Sequence, residues 1–274
     1  MVVGRVRTTT GCRTVTGNMP NKSLGQHWLK DRAVLASIAD EANIQPTDTV
    51  LEIGPGLGTL TSELLRRAAK VIAVEFDAEL ARKLPGQFPG KNLEVVNADI
   101  LSFDVSQLPS GYKVVANVPY YITSKIVQLL MTADNRPSTA VLLVQKEVAE
   151  RLAATPGDMS ILAISAQVYA DVHLGDVVPA YQFFPPPKVD SQVVVLETHA
   201  HPLVKPSDEK AFFRVVKAGF SAKRKKLRSS LSGGLGIAKT DVEELLSRAG
   251  ISPDSRAEDL SIADWQRLVA AHLL

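Results

Sequence analysis

Asn117-Val118-Pro119-Tyr120 holds the residues of this 274-residue chain best suited to chemistry. An exocyclic amine on a heteroaromatic ring is a poor nucleophile, because its lone pair is delocalised into the ring. The Asn117 side-chain oxygen and the Val118 carbonyl can each accept one of its two hydrogens. That orients the amine and moves its nitrogen towards tetrahedral geometry as charge develops. Pro119 stiffens the turn, and Tyr120 offers a face on which a base such as adenine can stack. Such a site suits in-line transfer of a methyl group onto nitrogen. No strong general base is required, since the product amine loses its proton easily, and positioning carries most of the rate. Taken alone, the same four residues also fit a turn that merely ends a strand.

A methyl donor needs its own cradle. Glu52-Ile53-Gly54-Pro55-Gly56-Leu57-Gly58 follows an apolar run over 49–53 and precedes a helical pattern over 60–69. Glycines there permit a tight turn and close approach of the backbone to a ligand. Such a loop occurs across nucleotide-binding folds and also as a plain strand-to-helix turn. Here the spacing is G-x-G-x-G rather than G-x-G-x-x-G, which leaves less room for a diphosphate. Glu52 would repel a pyrophosphate but suits a ligand carrying a sulfonium and an amino group. Glu75 ends the next apolar run, where a carboxylate can accept from both hydroxyls of a ribose. Asp99 follows the third run and is expected to meet an adenine amino group, with Ile100 beneath the ring. A surface acid and a turn cap are the competing readings of Glu75 and Asp99. Together these residues point to S-adenosyl-L-methionine as the cofactor.

The elements that must position these groups are legible as short apolar runs. Strands are expected over 49–53, 71–74, 93–96, 113–116 and 141–144, buried on both faces as parallel strands are, with helices between them. The fold class is α/β, a doubly wound Rossmann-like sheet. Segments 161–178 and 189–197, strand-like or mixed, flank Pro185-Pro186-Pro187 and are expected to complete the sheet as an antiparallel edge hairpin. From about Lys205 the pattern becomes helical, with Phe212, Phe213, Val216 and Phe220 on one face. A second helix over 242–249 is stopped by Gly250, and a third over 261–274 is capped by Ser261. The expected organisation is a basic arm over 1–20, disordered or an over-extended start with Met19 as a candidate first residue. A methyltransferase domain over 21–203 and a small all-α domain over 204–274 follow. Order is expected to begin near Lys22.

A net charge of +2 conceals segregation. Residues 1–30 carry five basic residues and no acidic one, and residues 210–230 carry eight and none, so the remaining chain is acidic. Two basic patches on an acidic body suggest a polyanion touched at defined places; a solvated surface and a floppy tail are the plainer reading. Lys223, Arg224, Lys225, Lys226 and Arg228 are the candidate phosphate contacts. No apolar run approaches a membrane span. Cys12 is the single cysteine, which excludes an internal disulfide framework and fits a reducing, cytoplasmic compartment. The five histidines show no metal spacing, and no metal is expected.

Read together, these motifs resemble the KsgA family of small-subunit rRNA adenine dimethyltransferases, from about Lys22 to the C-terminus. Lys22 to Leu29 resembles the family's K-x-x-G-Q-N-F-L opening. Phe183 to Ser191 resembles F-x-P-P-P-K-V-D-S, and Phe220 to Leu231 its basic A-F-x-x-R-R-K-x-x-R-N-S-L helix. The resemblance implies cofactor contacts at His27, Leu29, Gly54, Glu75, Asp99 and Asn117, beside the cofactor-binding Gly56 and Ile100 expected from the loop and the Asp99 turn, and base stacking at Tyr120 and Phe183. It also implies a substrate: two adjacent adenines in the 3′-terminal hairpin loop of 16S rRNA, within a 30S subunit precursor, converted to dimethyladenine. An unpaired loop base is cheap to extrude into a pocket. A monomer is expected. His27 stands where the family usually has Asn, Trp28 where it has Phe, and Tyr121 where Asn is frequent; Tyr121 is read as packing. Three rivals share part of the pattern: an Erm-type enzyme acting on large-subunit rRNA, a non-catalytic assembly factor, and an NAD oxidoreductase. The intact P-P-P-K-V-D-S run, the retained Asn117 and Tyr120, and the G-x-G-x-G loop disfavour them in turn.

Overall fold

The computed structural model describes residues 26–273. The 1–20 arm, Met19 and the Lys22 to Gly25 part of the opening motif lie outside the described residues.

The chain begins with a short strand, β1 (Trp28–Leu29), and a helix, α1 (Arg32–Glu41), whose first turn is closed by Asp31 accepting from the amides of Ala33 and Val34. Then β2 (Thr49–Ile53), α2 (Thr59–Leu64), β3 (Lys70–Glu75), α3 (Ala78–Lys83), β4 (Leu93–Asn97), β5 (Lys113–Asn117), α4 (Thr123–Thr132) and β6 (Thr139–Gln145) form the alternating half. Two helices, α5 (Lys146–Leu152) and α6 (Ile161–Gln167), precede β7 (Ala170–Val178), β8 (Phe183–Phe184) and β9 (Ser191–Thr198). The seven-stranded sheet has the order β4-β3-β2-β5-β6-β9-β7. Its first five strands run parallel, while β9 is antiparallel to both β6 and β7. Strand β1 pairs separately with β8, Leu29 opposite Phe183.

From β2 the chain moves outward to β3 and β4, then returns to β5 on the other side. The switch point therefore lies at the carboxyl ends of β2 and β5, where open α/β sheets bind ligands. The glycine loop follows one of these strands and Asn117 ends the other.

Side chains alternate between the two faces of each strand. Leu51, Ile53, Ile72, Val74, Val114 and Ala116 join the core on one face. Val50, Val71 and Val115 join the other, packed with Leu35, Ile38, Leu60 and Leu64 from α1 and α2 and with Leu29 and Phe183. Glu52, Glu75 and Asn117 have the parity of this second set. The pleat alone thus turns all three towards one face, on three adjacent strands in register Ala73, Glu52, Val115.

Four helices follow: α7 (Pro206–Gly219), α8 (Leu227–Leu235), α9 (Lys239–Arg248) and α10 (Ile262–Leu273). Their core of Phe212, Val216, Leu231, Leu245 and Trp265 is continuous with the first sheet face. Gly250 adopts a left-handed φ of 69° just past α9, and the Ser261 hydroxyl accepts from the Asp264 amide at the start of α10.

Several elements differ from expectation. Helix α2 stops at Leu64 because the Leu64 carbonyl accepts from both Arg67 and Ala68, which closes the turn. Strand β4 is not buried on both faces: it is a sheet edge, with Glu94 and Asn97 exposed. The first part of segment 161–178 is the helix α6, capped by the Ser160 hydroxyl. In α7 the buried stripe is Phe212, Val215, Val216 and Gly219, whereas Phe213 and Phe220 are half-buried. Phe220 caps the helix and stacks on Trp265 at 5.8 Å.

Helices α7 and α8 approach until backbones touch. A Cβ at Gly234 would sit 2.6 Å from Ala218 Cα and 2.8 Å from its carbonyl oxygen. Alanine normally gains about 1 kcal/mol over glycine inside a helix, but here it meets atoms that cannot move aside. Gly234→Ala is expected to destabilise the protein by a net of about 1–3 kcal/mol, read from denaturant unfolding. Increased stability would show that the helices can part without loss.

Candidate active site

A cavity of about 330 Å³ opens at the switch point, within the usual size of a small-molecule site. It is lined by His27, Leu29, Glu52, Gly54, Gly56, Glu75, Asp99, Ile100, Asn117, Val118, Pro119 and Tyr120. Three strand ends, the β1 segment and the turn after β4 thus bring the sequence-inferred cofactor and amine residues together, Phe183 excepted.

The glycine loop forms the floor. Gly56 has φ of 55°, a left-handed conformation that side chains disfavour, and a Cβ there would reach 3.4 Å from the Trp28 indole nitrogen. Its amide donates to Glu75 Oε2 at 3.0 Å, while Glu75 Oε1 accepts from the Asp77 amide at 2.8 Å. Each oxygen keeps a second lone pair, so the carboxylate is aimed by the backbone and can still accept from a ribose. Burial pushes the Glu75 carboxyl up, and the Asp77 and Gly56 amides work against that rise.

Glu52 lies beneath, 1% exposed. Neither of its oxygens has a hydrogen-bond partner among the described residues. Burial, with the Glu75 charge nearby, raises its carboxyl from 4.5 to about 8, against a smaller opposing effect of Thr61. An unpartnered buried carboxyl is costly and marks the floor as suited to a cationic group. This donor set fits S-adenosylmethionine: a carboxylate for ribose, a buried acid for positive charge, and glycines that open the loop backbone to a ligand. Asp99 adds to the fit. It caps the turn at Ile100 through Oδ1, which accepts from the Leu101 amide at 2.9 Å, so the cap reading holds and a second oxygen is left over.

Asn117 is fixed in one orientation. Its Nδ2 donates to the His27 carbonyl at 3.1 Å; a carbonyl can only accept, so the amide group must present Oδ1 the other way. Val118 is held by its amide donating to the Leu143 carbonyl at 3.2 Å. The Tyr120 ring stacks on His27, centroids 5.7 Å apart and planes 19° from parallel. Its hydroxyl lies 2.6 Å from Ser191 Oγ, and burial pushes the phenol up, against the lowering effect of Ser191. Leu29 ties its segment to α2 by accepting from Thr59 Oγ1.

Two aromatic assignments change. Phe183, expected to face the base, is 4% exposed and packs in the second core rather than lining the cavity. Pairing of β8 with β1 turns it inward, so its neighbour Phe184 faces out at 48% exposed, with Lys30 Nζ 5.0 Å from its ring. Tyr121 does not pack: it is 65% exposed on the cavity rim beside Lys125. Phe76, also on the rim and 61% exposed, was missed from sequence; a large aromatic directly after Glu75 was the available signal.

The basic cluster lies in the turn between α7 and α8 and at the start of α8. Lys226 pairs with Asp254 at 2.8 Å and Arg228 with Glu243 at 3.2 Å. Lys223, Arg224 and Lys225 are exposed, and no ion pair holds them among the described residues. Among the described residues no group of three or more His, Cys, Asp or Glu could hold a metal ion. No described helix is long and apolar enough to cross a membrane.

A family model described as ribosomal RNA adenine dimethylase matches residues 17–272. The chain belongs to this family. It is 43% identical over 251 residues to a ribosomal RNA small subunit methyltransferase A of Dehalococcoides mccartyi, covering 90% of this chain and 86% of the relative. The corresponding protein of Moorella thermoacetica is 42% identical, covering 91% of each. Among solved structures, the 23S rRNA methyltransferase ErmE matches with a TM-score of 0.74 at 32% identity, over 89% of this chain and 98% of that one. A dimethyladenosine transferase from Plasmodium falciparum matches with a TM-score of 0.77 at 29% identity, over 88% and 96%. The protein is therefore an S-adenosylmethionine-dependent rRNA adenine dimethyltransferase with a Rossmann-like fold.

The raised Glu52 carboxyl ties stability to pH. The folded protein holds a proton up to about pH 8, which the unfolded chain releases above pH 4.5. This stabilisation is complete below 4.5 and is lost as pH rises through about 8. The Tm of the protein without cofactor is expected to fall across this window, and Glu52→Gln to flatten the fall. An unchanged slope in the variant would place the proton elsewhere.

Proposed function

We propose that the enzyme methylates two adjacent adenines in the 3′-terminal hairpin loop of 16S rRNA, within a 30S subunit precursor. It does so as a cytoplasmic monomer. The observation that carries the reading is the one-way orientation of Asn117. With Nδ2 committed to the His27 carbonyl, Oδ1 accepts one amine hydrogen of the target adenine and the Val118 carbonyl accepts the other. Pro119 shapes the turn and Tyr120 supports the base by stacking. Glu75 holds the ribose of the cofactor and Asp99 its adenine amino group, beside Ile100; His27, Leu29, Gly54 and Gly56 complete that wall.

S-adenosylmethionine, when bound, supplies an electrophilic methyl group on a sulfonium. Asn117 and Val118 would hold the amine nitrogen towards that methyl, which the cofactor would give up with the bonding pair left on its sulfur. Positive charge developing on the amine is met by the two oxygen acceptors, and the proton then leaves to water. Choice of the small subunit is supported by the names of the curated relatives and by the P-P-P-K-V-D-S run. Lys223, Arg224 and Lys225 are the principal phosphate contacts, and Lys226 and Arg228 brace the turn that carries them.

Asn117→Ala is expected to leave S-adenosylhomocysteine affinity within a few-fold of wild type. Methyl transfer should slow by about 10²–10³-fold. Near-normal turnover would sink the proposed amine orientation. Assayed on 30S and 50S precursors, the enzyme should act on the former; activity on 50S alone would favour the Erm-type alternative. Charge reversal at Lys223, Arg224 and Lys225 should weaken RNA binding and reduce the slope of log affinity against log salt by about 2–3. An unaltered slope would mean that the phosphates are met by another surface.

A further inference from the structure

We infer that His27 and Ser191 are positioning residues that fix the plane of Tyr120 and leave one of its faces for the base. The inference rests on the stacking role proposed above for Tyr120 and goes beyond it by saying what holds the ring and from which side the base must enter.

Tyr120 is held at three points. The His27 imidazole is stacked along one side of the ring, centroids 5.7 Å apart. The hydroxyl is tethered to Ser191 Oγ at 2.6 Å, and the carbonyl accepts from Thr123 Oγ1 at 3.2 Å. Both braces are themselves anchored. Ser191 is fully buried and sits in register with Gln145 of β6 and Val178 of β7. His27 lies with Nδ1 2.7 Å from the Pro185 carbonyl oxygen, and its own carbonyl receives Asn117 Nδ2.

These anchors explain a motif that the chemistry left unassigned. The segment from Phe183 to Ser191 reaches the site at both ends: Pro185 meets His27, and Ser191 holds Tyr120. Between them, Asp190 ties the strap down, Oδ1 accepting from the Ala180 amide and its carbonyl from the Lys146 amide. The segment is a clamp on the stacking platform.

A tyrosine ring on a turn can otherwise swing about its side-chain torsions. Here the imidazole flanks one face, so the other is the face a base reaches without displacing it. His27 links the two: the Pro185 carbonyl holds its ring, and its own carbonyl orients Asn117. In-plane placement of the amine and the tilt of the base are thus set by one connected group of side chains. A misplacement of about 1 Å at a reacting centre can cost about 10²-fold in rate, so loosening the platform should act on the transfer step and not on cofactor binding. The Tyr120 hydroxyl is in this account a tether, with no proton to transfer.

The test uses the full-length enzyme, an RNA that the wild type methylates, single-turnover rates, S-adenosylhomocysteine affinity and Tm. Ser191→Ala and Tyr120→Phe each cut the same tether. Each should slow transfer by about 10-fold with cofactor affinity unchanged, and the double variant should be no slower than the slower single one. His27→Phe keeps a ring without the Pro185 contact, and His27→Gln keeps a hydrogen-bonding side chain without a ring. Compared at saturating cofactor, the Phe variant should transfer faster than the Gln variant. Multiplying losses in the double variant, a His27→Phe variant as slow as His27→Gln, or a loss of cofactor affinity in Ser191→Ala or Tyr120→Phe would each overturn the inference. A wild type inert on rRNA would instead remove the proposed function on which it stands.

Discussion

The pleat of three neighbouring parallel strands is the constraint on which the site depends. Side chains alternate along β3, β2 and β5, and the register aligns Ala73, Glu52 and Val115. Glu75, Glu52 and Asn117 are therefore turned to one face near the strands' carboxyl ends. A one-residue slip in any of the three would send its polar group into the apolar core on the other side. The hydrophobic alternation that stabilises the sheet is thus also what holds the cofactor and amine groups on a common face. Val50, Val71 and Val115 on one side, with Leu51, Ile72 and Val114 on the other, make any other register expensive.

The second constraint is the covering strap. The sheet alone presents Asn117 but does not say which way its amide points. The β1 segment does, through the His27 carbonyl, and β1 is held by its pairing with β8 and by Thr59. Residues separated by some ninety positions in sequence, His27 and Asn117, are thereby made a unit. The buried Glu52 is the counterpart on the cofactor side. It is costly in the folded chain, and it places a buried acid in the cavity wall.

The helical part contributes surface more than chemistry. Its core runs into the sheet's first face, and the contact of Gly234 with Ala218 sets the crossing of α7 and α8. The turn between those helices is where basic residues concentrate. Acidic neighbours hold Lys226 and Arg228, while Lys223, Arg224 and Lys225 are exposed with no ion pair among the described residues. That division between paired and unpaired cations is invisible in a run of like charges.

The sequence by itself determined the alternating α/β order, the glycine floor, the carboxylates Glu75 and Asp99 and the Asn117 motif, because each depends on residues adjacent in the chain. Local spacing also showed the helical end with its Gly250 stop and Ser261 cap. Where a property depends on a partner strand or a distant segment, only the tertiary structure decided it. Strand β4 reads as a buried strand until its place at the sheet edge exposes Glu94. Phe183 and Phe184 are equivalent in sequence, and pairing with β1 turns one inward and the other out. Tyr121 looks like packing until the turn after β5 puts it on the rim. Local propensity and spacing act within a few residues; the direction in which a side chain faces is set by what pairs with its backbone, and that partner lies elsewhere in the chain.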